Sequence, residues 1–268
     1  MQLTQSSPTK TLPVEITSYD LLKTFAVITM VIDHIGIYLY PDQLWFRTIG
    51  RLSFPAWLFL IGYARSRDLP LKIWIGIGLL IIGDFLVGRE MFPLNILVTI
   101  ALVRILIDPF MESMLKSPAR FWTISIALLV IALPTNLMSE YGALAIITAI
   151  FGYLVRNRHE IEERGDHFVT KDFLSYYMIF SLFAYFIVQQ ILFMFSMQQF
   201  LFMAFGVTIL HLFLMHFALA TFPKMTEKSG TVGKYFFQIC GRRTLEIYVV
   251  HLLILKFVTA GYFSALGL

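Results

Sequence analysis

The stretch LLKTFAVITMVIDHIGIYLY, residues 21–40, is a hydrophobic run of membrane-spanning length that carries three ionisable side chains. A transmembrane helix needs about 20 mostly apolar residues to cross roughly 30 Å of hydrocarbon. An ionisable side chain in hydrocarbon costs about 2.5 to 3.5 kcal/mol on insertion scales, and such residues usually face the protein interior or a wet cavity. A simple anchor has no use for Lys23, Asp33 and His34, so the stretch predicts a helix with a buried polar site.

The composition extends this interpretation to the whole chain. Hydrophobic residues make up 58% of it and charged residues 14%, which is more apolar surface than one water-soluble core can hide. We therefore expect an all-α, polytopic transmembrane helix bundle, with a polar cytoplasmic segment at residues 1–20, no cleaved signal peptide, and a single transmembrane domain over residues 21–268. About nine spanning segments are predicted: 21–40, 48–64, 71–88, 94–110, 120–137, 141–155, 173–193, 199–221 and 238–263.

Lysine and arginine fall almost entirely in alternate gaps between these segments. One side would hold Lys10, Arg65, Arg67, Lys72, Lys116, Arg120, Arg156, Arg158, Arg164, Lys171, Lys224, Lys228, Lys234, Arg242 and Arg243. The other side would hold only Arg47 and Arg89. The positive-inside rule then predicts a cytoplasmic N-terminus. We expect a multi-pass protein of the bacterial inner membrane. Basic loops account for the net charge of +4, so no nucleic-acid partner is needed.

Helix geometry separates the charges of the first segment. The eleven-residue step from Lys23 to His34 returns to within about 20° of the same face and climbs about 16 Å. Asp33 lies about 100° round the helix from His34, so its partner must come from another helix. In an antiparallel hairpin of the first two segments, Arg51 reaches a similar depth. It could pair with Asp33, or lie beside His34 and keep that imidazole neutral and able to accept a proton.

The same counting sorts the other polar residues by depth. Pro55 should kink or open the second helix because it lacks a backbone donor. Near His34, in the outer half, we expect Asp84, Asn95 and Thr99. The inner half collects Lys23, Arg65, Arg67, Arg104, Arg242, Arg243 and Glu246. A basic cytoplasmic mouth below a polar chamber suits a phosphate-bearing donor whose reactive end acts deeper in the membrane.

Structural explanations stand beside these functional ones. Lys23 and Lys256 lie near predicted helix ends, where a lysine can extend to the lipid headgroups. Asp33 and Arg51 could be a purely structural ion pair.

The remaining histidines and the single cysteine give weaker signals. His211 and His216 are five residues apart, which is not a metal-ligand spacing, so we expect bundle-facing polar residues and no metal. His251, in GRRTLEIYVVHLLILK, could be structural or functional. Cys240 stands alone, which excludes an internal disulfide and a multi-cysteine metal site.

Three motifs in order resemble the TraX family: LLKTFAVITMVIDHIG, IGRLSFPAWLFLIGYARSR and LNILVTIAL, within residues 21–107. The named member of that family is associated with N-terminal acetylation of conjugative pilin. TraX proteins are distantly similar to membrane acyltransferase family 3, in which a basic residue precedes a functional histidine in the first helix, as Lys23 precedes His34. The closing GRRTLEIYVVHLLI also resembles the last segment of that family.

The resemblance implies an acyltransferase that moves a group, acetyl in the family, from cytoplasmic acetyl-CoA to an amine or hydroxyl at the outer face. His34 would be the general base, Asp33 and Arg51 would hold geometry and charge, and Asn95 or Thr99 would donate to the thioester oxygen. Expected at the CoA phosphates are Lys23, Arg65, Arg67, Arg104, Arg242 and Arg243. Expected on the substrate side are Asp84, Asn95, Thr99, Glu246 and His251.

Other functions stay open at this stage. The acceptor could be a pilin-like peptide, a sugar or a lipid. Chains of buried Asp, Glu and His also form proton relays, which would make the protein a proton-coupled transporter. Buried charges that only specify helix pairing would make it a non-catalytic assembly factor.

Overall fold

The computed structural model describes residues 13–163 and 168–265, so Lys10 and Arg164 lie outside the described residues. The described chain is all-helical, without strands apart from two isolated β-bridges. In it we number thirteen helices: α1 Ser18–Leu39, α2 Leu44–Gly50, α3 Ser53–Tyr63, α4 Leu71–Leu86, α5 Ile96–Met114, α6 Pro118–Val130, α7 Ala132–Asn136, α8 Gly142–Glu163, α9 Lys171–Phe193, α10 Met197–Met215, α11 Pro223–Lys228, α12 Gly230–Arg242 and α13 Thr244–Ala265.

Every predicted segment overlaps one or two of these helices. The second segment is divided into α2 and α3, and the fifth into α6 and α7. By length and composition, four helices within the described ranges can cross a membrane: α1, α9, α10 and α13 as far as Gly261. The helical membrane class is therefore supported, and the count of nine spans and the orientation stay predictions.

The start of α1 is fixed by a capping box. The Thr17 side chain accepts from the Asp20 N–H at 3.1 Å, and the Asp20 carboxylate accepts from the Thr17 N–H at 3.0 Å. This arrangement satisfies helix donors that have no partner within the helix. Arg242 donates to both oxygens of Asp20 at 3.2 Å. The cap therefore also ties α1 to the end of α12.

The break between α2 and α3 follows from Pro55. Proline has no N–H, so the carbonyl of Arg51, four residues earlier, receives no helical hydrogen bond. The Tyr185 hydroxyl on α9 donates to that carbonyl instead, at 2.6 Å. The predicted opening of the second helix is confirmed, and it lies at Arg51–Leu52.

Glycines allow α3 and α8 to pack backbone against backbone. A Cβ added to Gly62 would collide with the carbonyl of Ala149, and one added to Gly152 would collide with the carbonyl of Phe59. Small residues at a helix interface permit this close approach, which membrane helices use in place of a hydrophobic driving force.

Ring contacts show that α3 and α8 run in the same direction. Phe54 stacks on Tyr141 at 3.6 Å between centroids, and further along both helices Phe59 packs on Phe151 at 5.5 Å.

The α4 and α13 helices are also parallel, because Gly76 lies against Val249 and Gly83 lies against Leu253. A chain that crosses a membrane alternately in each predicted segment gives these same relative directions for both pairs.

Two apolar clusters flank the centre of the bundle. The larger one centres on α3, α8 and α9, and the smaller one joins α1, α4 and α13. Trp57, Ile96 and Ile100 pack against both clusters. The space between the clusters holds the polar residues described next.

Candidate functional site

Asp33 binds two arginines of the following helix. Its Oδ2 accepts from Arg51 Nη2 at 2.5 Å and from Arg47 Nη1 at 2.8 Å. The predicted Asp33–Arg51 pair is therefore present, and Arg47, which the sequence placed in a loop, is a second partner. A Cβ on Gly50 would collide with the Asp33 side chain, so this glycine makes room for the carboxylate.

Aromatic rings orient both guanidinium groups. The Phe193 ring centroid lies 4.8 Å from Arg47 and 4.9 Å from Arg51, and Tyr141 lies 5.4 Å from Arg51. Cation–π contacts of this kind strengthen when water is excluded. Two guanidinium groups and one carboxylate leave one positive charge in surplus.

A histidine pair fixes the tautomer of His34. His34 Nδ1 lies 2.7 Å from His251 Nε2, and His251 Nδ1 lies 2.6 Å from the Ile247 carbonyl. A carbonyl can only accept, so in the neutral ring His251 Nδ1 carries the hydrogen and Nε2 accepts. His34 Nδ1 must then donate, which leaves the basic lone pair on His34 Nε2. His251, predicted on the substrate side, instead holds the general-base candidate.

A main cavity of about 1190 Å³ runs between the two apolar clusters. Its mouth lies at the end of the bundle where α1 begins, among Lys23, Lys72, Arg104 and Arg242. Apolar side chains line the middle, and the deep part contains Asp33, His34, Arg47, Arg51, Glu140 and Tyr141. One cavity therefore connects a cationic mouth with the buried polar site.

A second cavity of about 370 Å³ opens towards the other end of α1 and α4. It is lined by Tyr38, Asp84, Arg89, Asn95 and Lys256 among others. The two cavities share five lining residues: His34, Ile37, Pro93, Glu140 and Tyr248. His34 can thus be reached from both ends of the bundle.

Glu140 stands at the junction of the two cavities, in the loop between α7 and α8. Its N–H donates to the Leu94 carbonyl at 2.9 Å, and its own carbonyl accepts from the Thr99 hydroxyl at 2.7 Å. Burial raises the pKa of its carboxyl group to about 7. This side chain is outside the predicted spanning segments.

Three of the six predicted phosphate-binding cations line the main cavity. Lys23 sits 5.6 Å from the Tyr19 ring centroid, Arg104 donates to the Asp68 carbonyl, and Arg242 holds Asp20. Within the described residues the Nε of Arg104 is buried without a hydrogen-bond partner.

The other three cations are paired with carboxylates and belong to the lining of neither cavity. Arg65 pairs with Glu160 at 3.2 Å, Arg67 with Asp108 at 3.1 Å, and Arg243 with Glu246 at 3.6 Å. The structure thus pairs Arg65, Arg67 and Arg243 with carboxylates and does not place them in the lining of either cavity, and their role at a donor site stays a prediction.

Some of the residues predicted on the substrate side line a cavity, and others do not. The Thr99 hydroxyl already donates to Glu140 and Thr99 lines neither cavity, so it is not placed to donate to a thioester. Glu246 pairs with Lys72 at 3.7 Å and also lies outside both cavities. Asn95 caps α5 by accepting from the Leu97 N–H at 3.1 Å, while its buried Nδ2 lacks a partner among the described residues.

Asp84 forms an ion pair with the buried Lys256 in the second cavity. Its Oδ1 lies 2.5 Å from Lys256 Nζ, which also donates to the Leu80 carbonyl at 3.3 Å. Lys256 is only 4% exposed. The expectation that Lys256 reaches the headgroups is wrong, because a carboxylate on a neighbouring helix satisfies it within the bundle.

His211 faces the bundle as predicted. It is buried, stacks on Phe151 and makes a 2.9 Å contact from Nδ1 to the Val207 carbonyl. His216, in contrast, is exposed at the C-cap of α10. In the part of the chain that the structure describes, no group of three His, Cys, Asp or Glu residues could hold a metal ion.

Sequence reasoning missed three residues of the site. Arg47 had a usable signal, because it precedes Arg51 by four residues and shares its helix face. Glu140 and Tyr248 had no such signal. No local feature of the sequence marks a loop glutamate, or one tyrosine among twelve, as a cavity residue.

The fold and the site define a helical membrane protein in which a half-buried histidine is reached through two cavities. The family profile described as "TraX protein" matches residues 18–259, so the chain belongs to the TraX family. The resemblance drawn from residues 21–107 is thereby confirmed over nearly the whole chain.

One relative is an uncharacterized protein of Rickettsia prowazekii (strain Madrid E), 32% identical over 138 residues. That alignment covers 52% of this chain and 56% of the relative, so the chain matches little more than half of the relative's length. No solved structure matches the chain significantly.

Proposed function

We propose that this protein is an integral membrane acyltransferase. It transfers an acyl group, acetyl in the simplest case, from a cytoplasmic CoA thioester to an amine or hydroxyl acceptor at the outer face. The association of the TraX family with pilin acetylation supports this class of reaction. The observation that carries the proposal is the main cavity, which joins a cationic mouth to the basic Nε2 of His34.

The main cavity matches the parts of an acyl-CoA. Lys23 and Arg104 offer the positive charge that a diphosphate needs at the mouth, where Arg242 also lies, paired with Asp20. Met30 and Trp57 line the middle, where a slender and weakly polar arm would pass. Lys23 and His34 are about 16 Å apart along α1, which is a distance that a phosphopantetheine arm can span.

His34 Nε2 acts as the general base in this proposal. It takes the proton of the acceptor nitrogen or oxygen while that atom attacks the thioester carbonyl carbon. The imidazolium keeps its Nδ1–H bond to His251, so the ring does not need to rotate. The carbon–sulfur bond then breaks, and the leaving thiolate takes the proton from His34.

The second cavity supplies a route for the acceptor. It approaches His34 from the side opposite the cationic mouth, and Glu140 and Tyr248 line the shared wall. The unpartnered Nδ2 of Asn95 lies on this route and can donate to a polar acceptor. Donor and acceptor would meet at His34 without passing each other.

The proposal is tested with purified protein and radiolabelled acetyl-CoA, by measuring thioester cleavage and label transfer to membrane extracts. His34→Ala should abolish both, because general-base catalysis typically contributes about 10² to 10⁴ in rate. His216→Ala is the matched control, since it makes the same change at an exposed histidine outside both cavities. Full activity in a folded His34→Ala protein would rule out the mechanism.

A proton-coupled transporter is the second candidate, and the two cavities meeting at a histidine favour it. Proteoliposomes under a proton gradient separate the two functions. A transporter moves solute without any acyl donor, whereas the acyltransferase consumes acetyl-CoA without a gradient.

A further inference from the structure

The main cavity includes a recess beside Asp33 that general-base chemistry at His34 does not use. Arg47, Arg51 and Gln189 supply its polar groups, and Leu192 and Phe193 contribute its apolar lining. Gln189 lies one helical turn after Tyr185, whose hydroxyl donates to the Arg51 carbonyl, and one turn before Phe193, whose ring lies against both guanidinium groups.

The recess contains polar atoms that the described residues leave without partners. Gln189 is fully buried, and neither its Nε2 nor its Oε1 has a hydrogen bond. The Nε of Arg51 and the Oδ1 of Asp33 are also buried and unpartnered. Native proteins leave few such groups, and several in one cavity indicate that a ligand completes the set.

The recess also carries surplus positive charge. Asp33 balances one of its two arginines, and the Arg47 side chain makes a single hydrogen bond in the described structure, from Nη1 to Asp33. Glu140 is the other carboxylate deep in the cavity, but no ion pair within 4 Å joins it to Arg47 or Arg51 there. A buried charge without a counter-charge is costly, so the recess favours an anion.

We propose that Arg47, the Nε of Arg51 and the Nε2 of Gln189 form an oxyanion site for the acyl-transfer step. This inference rests on the proposed function and assigns its charge-stabilising groups. When the acceptor bonds to the carbonyl carbon, the π-electron pair of the carbonyl moves to oxygen. The negative charge then faces the recess while His34 Nε2 holds the acceptor proton. Re-formation of the carbonyl expels the thiolate, which is protonated by His34.

The negative charge on the former carbonyl oxygen exists only in the tetrahedral intermediate. This predicts which kinetic constant the recess changes. A neutral thioester gains little from surplus positive charge, whereas the oxyanion neutralises it. Interactions that strengthen only in the transition state raise kcat without lowering KM. Asp33 in this scheme is a positioning residue that holds both guanidinium groups against Phe193.

The test compares Arg47→Gln and Gln189→Leu with the wild type in kcat, KM for acetyl-CoA and thermal midpoint. Removing one oxyanion donor typically lowers kcat by about 10² to 10³, and KM should change by less than about threefold on the differential-binding argument. Gln190→Leu is the matched control, because the neighbouring side chain bonds the Phe195 carbonyl and lies outside both cavities.

The thermal midpoint distinguishes an oxyanion-binding role of Arg47 from a purely structural one. Because Arg47 carries the surplus charge, Arg47→Gln leaves a balanced Asp33–Arg51 pair, and its thermal midpoint should equal or exceed that of the wild type. A fall in midpoint in parallel with activity, a kcat near the wild-type value, or a change confined to KM would each overturn the proposal. A wild-type protein without any acyl transfer would defeat the proposed function, and this inference with it.

Discussion

The pairing of His34 with His251 is the side-chain arrangement on which the proposed chemistry depends most directly. Helix arithmetic on the sequence placed His34 at depth, but the residue that sets its tautomer is more than two hundred positions away. Only the packing of α13 against α1 makes that contact. The basic nitrogen of His34 is therefore a property of the fold and not of the local sequence.

Replacing His251 should test that assignment. His251→Phe removes the acceptor for His34 Nδ1–H, so the ring can adopt the wrong tautomer, and kcat should fall at least about tenfold given the usual contribution of a general base. His251→Gln keeps an acceptor oxygen and should recover part of the rate. The check is kcat for acetyl-CoA in both variants. A His251→Phe protein with wild-type kcat would contradict the assignment.

Glu140 should make stability depend on pH near neutrality. Burial raises the pKa of this carboxyl from an ordinary value of 4.5 to about 7, so the folded state favours the protonated form. The resulting stabilisation is complete below pH 4.5 and is lost as pH rises through 7. The thermal midpoint in detergent should therefore decline between these values, and Glu140→Gln should flatten the decline. The exposed Glu90→Gln control should keep the wild-type slope.

The positions of the helices were predictable from the sequence, and the points at which a helix is divided were less so. Every predicted segment contains a helix because a continuous apolar run has few alternatives in hydrocarbon. Pro55 revealed one break because it lacks an N–H, and Pro134 stands four residues after the end of α6 at Val130. Pro109, in contrast, lies inside α5, which is not divided. A proline therefore marks where a helix can divide, and packing decides whether it does.

The site shows the same limit. Asp33 and Arg51 lie in consecutive segments, so the depth of each could be counted from a shared turn. Asp84 and Lys256 are 172 positions apart, and only the parallel packing of α4 and α13 brings them together. Counting residues along the sequence predicts contacts within one helix hairpin, but it does not predict contacts between helices that are distant in the sequence.

Glycine replacement tests the packing of α3 against α8. Gly152→Ala places a Cβ against the Phe59 carbonyl, and overpacking of this kind costs about 1 to 3 kcal/mol. Gly78→Ala is the matched control, because a Cβ there meets no atom within 4 Å and alanine favours a helix by about 0.5 to 1 kcal/mol. Thermal unfolding in detergent should show a lower midpoint only for Gly152→Ala. Equal midpoints would mean that the two helices do not pack this closely.

The whole bundle is organised around access to His34 from both ends. The main cavity has its cations where α1 begins, and the second cavity opens where α1 and α4 end. This arrangement suits a cytoplasmic donor and an outer acceptor in only one orientation of the protein in the membrane. If the N-terminus were outside, the cationic mouth would face a compartment without CoA thioesters.

Orientation is therefore the decisive prediction for the molecule as a whole. In a Cys240→Ser background, single cysteines replace exposed residues in four gaps: Asp42 and Met194 at one end, Ser66 and Lys116 at the other. The positive-inside rule predicts that a membrane-impermeant maleimide labels Asp42→Cys and Met194→Cys on intact cells, and the other two only after the membrane is opened. Because α1, α4 and α13 cross together, one reversed result would contradict the nine-segment path. Reversal of all four would place Lys23 and Arg104 outside and exclude a cytoplasmic donor.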